Sequence, residues 1–294
     1  MAMTGAAGVT DAAYIETRQV GAATISVIND GDVVLPLDFL FSPAAIAGLR
    51  ERGYPPDRQT LTSAQLIVHV ALGDASIVID PAFDDPGTPW DQRFATRWLG
   101  HHRSPGLAAA LAALGVAPEA VTEVLITHAH DDHFVGAMRD AGDCLQARFP
   151  NARHLLGRAD WLENPKREEP GSELATRLGP IAEIGLLTPV EGEYEVAPGV
   201  TMIAAPGETP GHSIVRVQSD GATFWALGDL FHHPIEIERP DWYASWDAPV
   251  TLAASRQAFF AAVQPDDLVV FTHAPFPGLG HVVRDGDGYR WREA

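Results

Sequence analysis

The chain has 294 residues, 46% hydrophobic and 8% aromatic, with 39 acidic against 20 basic side chains and a formal charge of -19. That length buries one large core, and no apolar run approaches the roughly 18 residues of a membrane span. Excess acid without a Lys/Arg cluster repels phosphate backbones, which excludes nucleic acid as an expected partner.

The opening MAMTGAAGVTDAAYIETRQV lacks a basic stretch leading into an apolar one, so no secretory leader is expected. Cys144 is the only cysteine and reads as a passive thiol, so the chain is expected in the cytoplasm. Residues 22–28 (AATISVI) predict a strand closed by the turn NDGD. Residues 35–62, beginning LPLDFLFSPAAIAGLRERGYPPD, mix apolar runs, a short helical stretch and prolines; they predict an excursion acting as lid or dimer contact. QLIVHVAL and SIVID flank Gly73-Asp74, a strong hairpin signal. His69 in this run reads as a satisfied sheet residue, and His101, His102 and His154 as surface or loop residues. PGLAAALAALG starts on proline and ends on glycine, as helices do.

A short apolar strand, Val124–Ile126, then runs into THAHDDHF. HLLG predicts another short strand, and residues 159–164 and 173–178 short helices. TMIAAP, SIVRVQ, ATFWALGD and DLVVFTH are further strands, with an amphipathic helix over 249–263 preceded by Asp247. RDGDG near the end has too few donors for a calcium loop and predicts a hairpin turn, with His281 before it structural. No compositional break marks a linker, so residues 1–294 read as one α/β domain.

The polar residues fall where strands end. Asp80 closes SIVID, His128 follows VLIT, His212 sits in ETPGHS, Asp229 closes TFWALGD and His273 closes LVVFTH. Strand ends are where ligands collect in α/β folds. Imidazole and carboxylate without thiolate suit zinc, with iron, manganese or cobalt as alternatives. Seven donors exceed one tetrahedral ion and suit two. His128 and His130 alternate along the tight turn and can serve one ion; Asp132 and His133 begin a helix and can face the other.

HAHDDH matches the H-x-H-x-D-H signature of the metallo-β-lactamase superfamily, and His212, Asp229 and His273 follow in that family's order. The resemblance implies a four-layer αββα sandwich. It also implies His128, His130 and His212 on one cation, Asp132, His133 and His273 on a second, and Asp229 between them. Asp80 resembles the early strand-end aspartate that orients a ligand histidine, here within IDPAF. The opening ISVINDGDVVLPLDFLF and the tail THAPFPGLGHVVRDGDGYRW resemble the methyl parathion hydrolase-like branch, related to quorum-quenching lactonases. Where those lactonases carry a tyrosine three residues after the bridging aspartate, this chain has His232, which either replaces it as a donor or marks a different substrate.

The resemblance implies a hydroxide generated between the cations, with Asp132 or Asp229 carrying the proton. The expected substrate is a neutral lactone or ester, with an organophosphate triester as a side activity, and the expected assembly a homodimer. Phe134, Phe231 and Phe276, next to these motifs, are the expected apolar pocket wall. The rivals are a single-iron oxidoreductase of the persulfide dioxygenase kind, which keeps only part of this donor set, and a catalytically silent metal-binding protein.

Overall fold

A computed structural model describes residues 14–294 of the chain. Most of the opening segment in which no secretory leader is expected, residues 1–13, lies outside the described residues. An eight-stranded mixed sheet follows the order Ile15–Val20, Ala23–Pro36, Thr60–Leu72, Ala75–Ile79, Glu123–Ile126, Arg153–Gly157, Leu187–Val190, with Gly100–Arg103 paired beside Ala23–Pro36. A seven-stranded sheet runs in chain order from Glu193–Ala197 to Gly288–Glu293.

Three apolar clusters show how the layers stack. Ile25, Val68, Ile77, Leu125 and Leu155 of the first sheet meet Met202, Val215, Phe224 and Val270 of the second. The outer face of the first sheet (Ile67, Val78, Val124, Ile126) is covered by the helical segments carrying Leu40, Leu49, Phe94 and Leu111. That of the second (Ile214, Trp225, Val269) is covered by Leu252, Phe259 and Phe260 of the helix Pro249–Ala262. Strands buried on both faces read as continuous apolar runs, as EVLI does. The result is helix, sheet, sheet, helix: the αββα sandwich.

Several local expectations change. NDGD is no turn. The strand Ala23–Pro36 passes through it with a bulge between Asn29 and Gly31. Asn29 Oδ1 accepts the Gly31 N–H at 3.0 Å, and the buried Asp30 carboxylate is paired with Arg103 at 3.2 Å. The excursion contains two helices, Leu37–Leu40 and Pro43–Glu51, the second capped by Ser42. His154 is fully buried in the strand Arg153–Gly157, and His101 is half-buried in Gly100–Arg103; only His102 is exposed. Asp247, just before the helix Pro249–Ala262, accepts the Ala244 N–H at 2.7 Å. The Gly73 hairpin, the Gly286 hairpin and the helix Leu107–Ala113 stand as read. Among the described residues no helix is long and apolar enough to cross a membrane.

Candidate metal centre

Two parallel pairs, Ala75–Ile79 with Glu123–Ile126 in the first sheet and Ala222–Ala226 with Leu268–Val270 in the second, are followed by polar loops that meet at one rim of the sandwich. The turn after Glu123–Ile126 carries His128 and His130 and leads into the one-turn helix Asp131–Phe134. Asp229 follows Ala222–Ala226 by a tight turn at Gly228. Gly228 has φ +51°, and a Cβ there would stand 2.7 Å from Thr127 Oγ1 and 2.9 Å from His212 Nε2, so glycine lets the two loops close on each other.

Imidazole tautomers follow from the outer hydrogen bonds. His133 Nδ1–H donates to Asp80 Oδ2 at 2.9 Å, and Thr127 gives its N–H and Oγ1–H to the two oxygens of the same carboxylate. The hydroxyl oxygen of Thr127 then accepts from His128 Nδ1–H at 3.1 Å. His273 Nδ1–H donates to Ala64 O and His212 Nδ1–H to Ala205 O. All four rings therefore present the Nε2 lone pair to the interior, the arrangement that ligand histidines need. Asp80 adopts φ +49°, a left-handed conformation that aspartate tolerates better than most residues.

Asp229 Oδ2 lies 3.1 Å from His273 Nε2, 3.3 Å from His133 Nε2 and 3.7 Å from His128 Nε2. Ligand atoms of Asp132, His133 and His273 converge on one side of it. On the other side converge His128, His130 and Glu208, with Asp229 itself. His212 is adjacent, its ring centre 5.2 Å from that of His128, but its Nε2 accepts the Asp229 N–H at 3.1 Å and is not among the four converging atoms. Glu208 was missed from sequence; the available signal was a carboxylate four residues before His212 in the same Pro/Gly loop.

Burial, reinforced by the neighbouring His133, holds His128 well below the usual imidazole range, so it is neutral, with its Nε2 facing His130 Nδ1 at 2.9 Å. Burial pushes Asp229 up, but His273 and His133 outweigh it and hold the carboxyl well below its usual range. His133 shows the reverse balance: burial lowers it, and Asp229 and Asp80 raise it further than burial can offset. His133 Nε2 and Asp229 Oδ1 are buried without a hydrogen-bond partner. Imidazoles, ionised carboxylates and orphaned inward atoms are the donor chemistry of divalent cations, whose binding would displace the proton that Asp229 and Asp80 favour on His133, and these residues fit such cations.

Asp160 is the stitch behind the site. Its buried carboxylate accepts from Ala129 N–H at 2.8 Å, Thr209 Oγ1–H at 2.6 Å and Gly211 N–H at 2.7 Å, tying the HAH turn to the loop of Glu208 and His212. Gly157 sits so close to Gly211 O that a Cβ would reach 1.8 Å from it. Asp160→Ala is expected to weaken cation binding by about tenfold to a hundredfold, as outer-partner losses do, measured by chelator competition; unchanged affinity would show that the turn holds itself.

Above the donors opens a cavity of about 450 Å³, walled by Val33, Leu35, Phe39, Leu40, Phe94, Trp98 and Trp246, with His130, Asp132, Glu208, Asp229, His232 and His273 at its base. His232 is 2% exposed and stacks on His273 with ring centres 6.0 Å apart. Its N–H donates to Glu236, which Arg256 holds at 2.9 Å. The three phenylalanines expected as pocket wall are not there. Phe231 is buried against Phe259, Phe260 and Phe271, on the far side of its strand end from Asp229. Phe134 faces the first sheet's outer core, and Phe276 packs against the inter-sheet core. Neighbours in sequence point opposite ways where the chain turns, and the wall comes instead from the 35–62 excursion and the segments around 94–98 and 246.

Fold and donor pattern together define a metallo-β-lactamase-type protein. The chain belongs to the metallo-β-lactamase superfamily, whose family pattern matches residues 64–273. It is similar to the N-acyl homoserine lactonase of Bacillus cereus, 24% identical over 54% of this chain and 58% of that protein, so the match spans little more than half the relative's length. Among solved structures it resembles AidC, a dizinc quorum-quenching lactonase, with TM-score 0.75 and 20% identity over 95% of this chain and 97% of that one. It also resembles the hydrolase AbOPH, with TM-score 0.77 and 23% identity over 97% and 99%.

Proposed function

We propose that this protein is a dinuclear metal-dependent hydrolase of neutral lactones or esters. The observation that carries the reading is the convergence of donor atoms on both sides of Asp229, at the base of an apolar cavity. His128 and His130, with His212 beside them, would hold one cation, and Asp132, His133 and His273 the other, with Asp229 between the two groups. Zinc is the first choice of metal. When bound, such a pair supplies a water acidified toward neutral pH and a Lewis acid for the carbonyl.

The chain's own groups do the rest. Asp132, at the cavity wall and the more exposed of the two inner aspartates, takes the proton of the attacking water and returns it to the leaving oxygen. His232 Nε2, lacking a hydrogen-bond partner, is placed to hold the substrate oxygen. Arg97, the one cation in the lining, is already paired with Asp131 at 2.7 Å, which favours an uncharged substrate over a phosphorylated one. A named lactonase among the relatives supports the lactone end of this range. The homodimer rests on family resemblance alone.

Phe39 stands between Trp98 and Trp246, with ring centres 5.2 and 5.1 Å away, and lines the cavity, which supports the lid reading of the 35–62 excursion over that of a dimer contact. Phe39→Ala is expected to raise KM about tenfold for a long-acyl lactone or ester, with little change for a short one; an equal rise for both would remove the lid from the account. The reading as a whole is tested by a hydrolysis screen over lactones, aryl esters, β-lactams and phosphotriesters on metal-quantified protein. Turnover of lactones or esters is expected, and no turnover of either by fully loaded protein overturns it.

A further inference from the structure

We propose that Glu208 is a ligand of the cation held by His128 and His130. The inference rests on the metal-dependent reading above. Glu208 is 5% exposed, yet among the described residues no lysine or arginine pairs with it; its neighbours are the imidazoles of His130 and His232 and the carboxyl of Asp247. Its Oε1 stands 3.1 Å from His130 Nδ1, the nitrogen that also faces His128 Nε2 at 2.9 Å. Those spacings are about the edge of a coordination tetrahedron whose metal bonds run near 2.0–2.1 Å. The other groups around the carboxylate orient it. Trp246 Nε1–H donates to Oε1 at 2.8 Å, and His232 Nε2 stands 3.4 Å from Oε2. Oε2 itself has no hydrogen-bond partner.

Charge favours the same assignment. Asp132, Asp229 and Glu208 gather at the cavity base, where Arg97, the one lysine or arginine among the described lining residues, is committed to Asp131. Two divalent cations bring four positive charges, and the two aspartates offset half of them. A third carboxylate on the His128 side brings the centre closer to neutrality, which matters most where water is excluded. His212 cannot supply that charge, and its Nε2 already faces the Asp229 N–H.

The test is metal binding by full-length wild type and Glu208→Gln, a near-isosteric change that keeps an acceptor for Trp246. Each protein is stripped with chelator, checked for an unchanged circular dichroism spectrum, reloaded with zinc, and dialysed for elemental analysis. Competition with a chromophoric chelator then gives the affinities. The expected result is two zinc ions per wild-type chain and one per variant chain, with affinity at the lost position down at least tenfold. Glu208→Asp, which keeps the charge but withdraws the oxygen, is expected to weaken the same position. Should Glu208→Gln retain two ions with affinity within threefold, Glu208 is only a hydrogen-bond partner of His130 and the proposal fails. A wild type that binds no zinc at all would instead overturn the metal-dependent reading beneath it.

Discussion

Asp229→Ala is expected to lower kcat/KM by at least about a thousandfold while leaving the circular dichroism spectrum of the sandwich intact. Its Oδ2 touches imidazoles of both donor groups, lying within 3.7 Å of His128, His133, His232 and His273 together. The change removes the shared oxygen between two groups of imidazoles and leaves them facing each other across a buried gap. Asp229→Asn keeps the shape but not the charge and is expected to lose cation affinity nearly as badly, because a neutral amide is a poor ligand. Elemental analysis alongside kinetics separates lost metal from lost chemistry. Residual activity above a tenth of wild type in either variant would mean that the centre does not turn on this carboxylate.

The second large effect is in stability against acid, and it comes from a histidine outside the site. His154 is fully buried; its Nδ1–H donates to Ala152 O at 3.1 Å, and its Nε2 has no partner. Burial drives its pKa down from 6.5 to about 4. The folded chain therefore refuses a proton that the unfolded chain accepts between those values. The stability this histidine contributes is whole above pH 6.5 and drains away as pH falls toward 4, by about 3 kcal/mol at pH 4.

His69, driven to about 4 by burial, acts in the same direction. Asp30 opposes both: burial raises it to about 6 despite Arg103, so the folded state takes up its proton first and gains stability as pH drops from 6 toward 3.8. A wild-type profile mixes all three, so the clean measurement is a difference. Urea unfolding of metal-free wild type and His154→Leu at pH 7 and pH 4 should show the wild type losing about 3 kcal/mol more than the variant across that interval. Parallel losses would show that His154 takes up its proton in the folded state as readily as in the unfolded one.

How much of this was legible beforehand varies element by element. EVLI running into THAHDDHF announced a buried strand ending in donors, because apolar run length and residue chemistry are local properties. NDGD misled because its turn propensity is real but weak. The Asp30–Arg103 pair and the bulge at Asn29–Gly31, which keep the strand going, are made by residues far away in the chain. His154 looked like a loop histidine because a five-residue strand in the interior of a sheet leaves little periodic signal. Phe231 and Phe276 were chosen for adjacency to Asp229 and His273, and adjacency says nothing of the direction a side chain takes after a turn.

By itself the sequence determined the donor types and the strand ends at which Asp80, His128, Asp229 and His273 would sit, since these follow from side-chain chemistry and short-range periodicity, while the αββα layers were implied by the family resemblance of HAHDDH. Only the tertiary structure decided that Glu208 faces His130, that Asp160 ties two loops together and that Phe39, Trp98 and Trp246 wall the cavity. Those facts depend on where loops more than thirty residues apart come to rest when two sheets pack, a long-range outcome of core burial that no local pattern encodes.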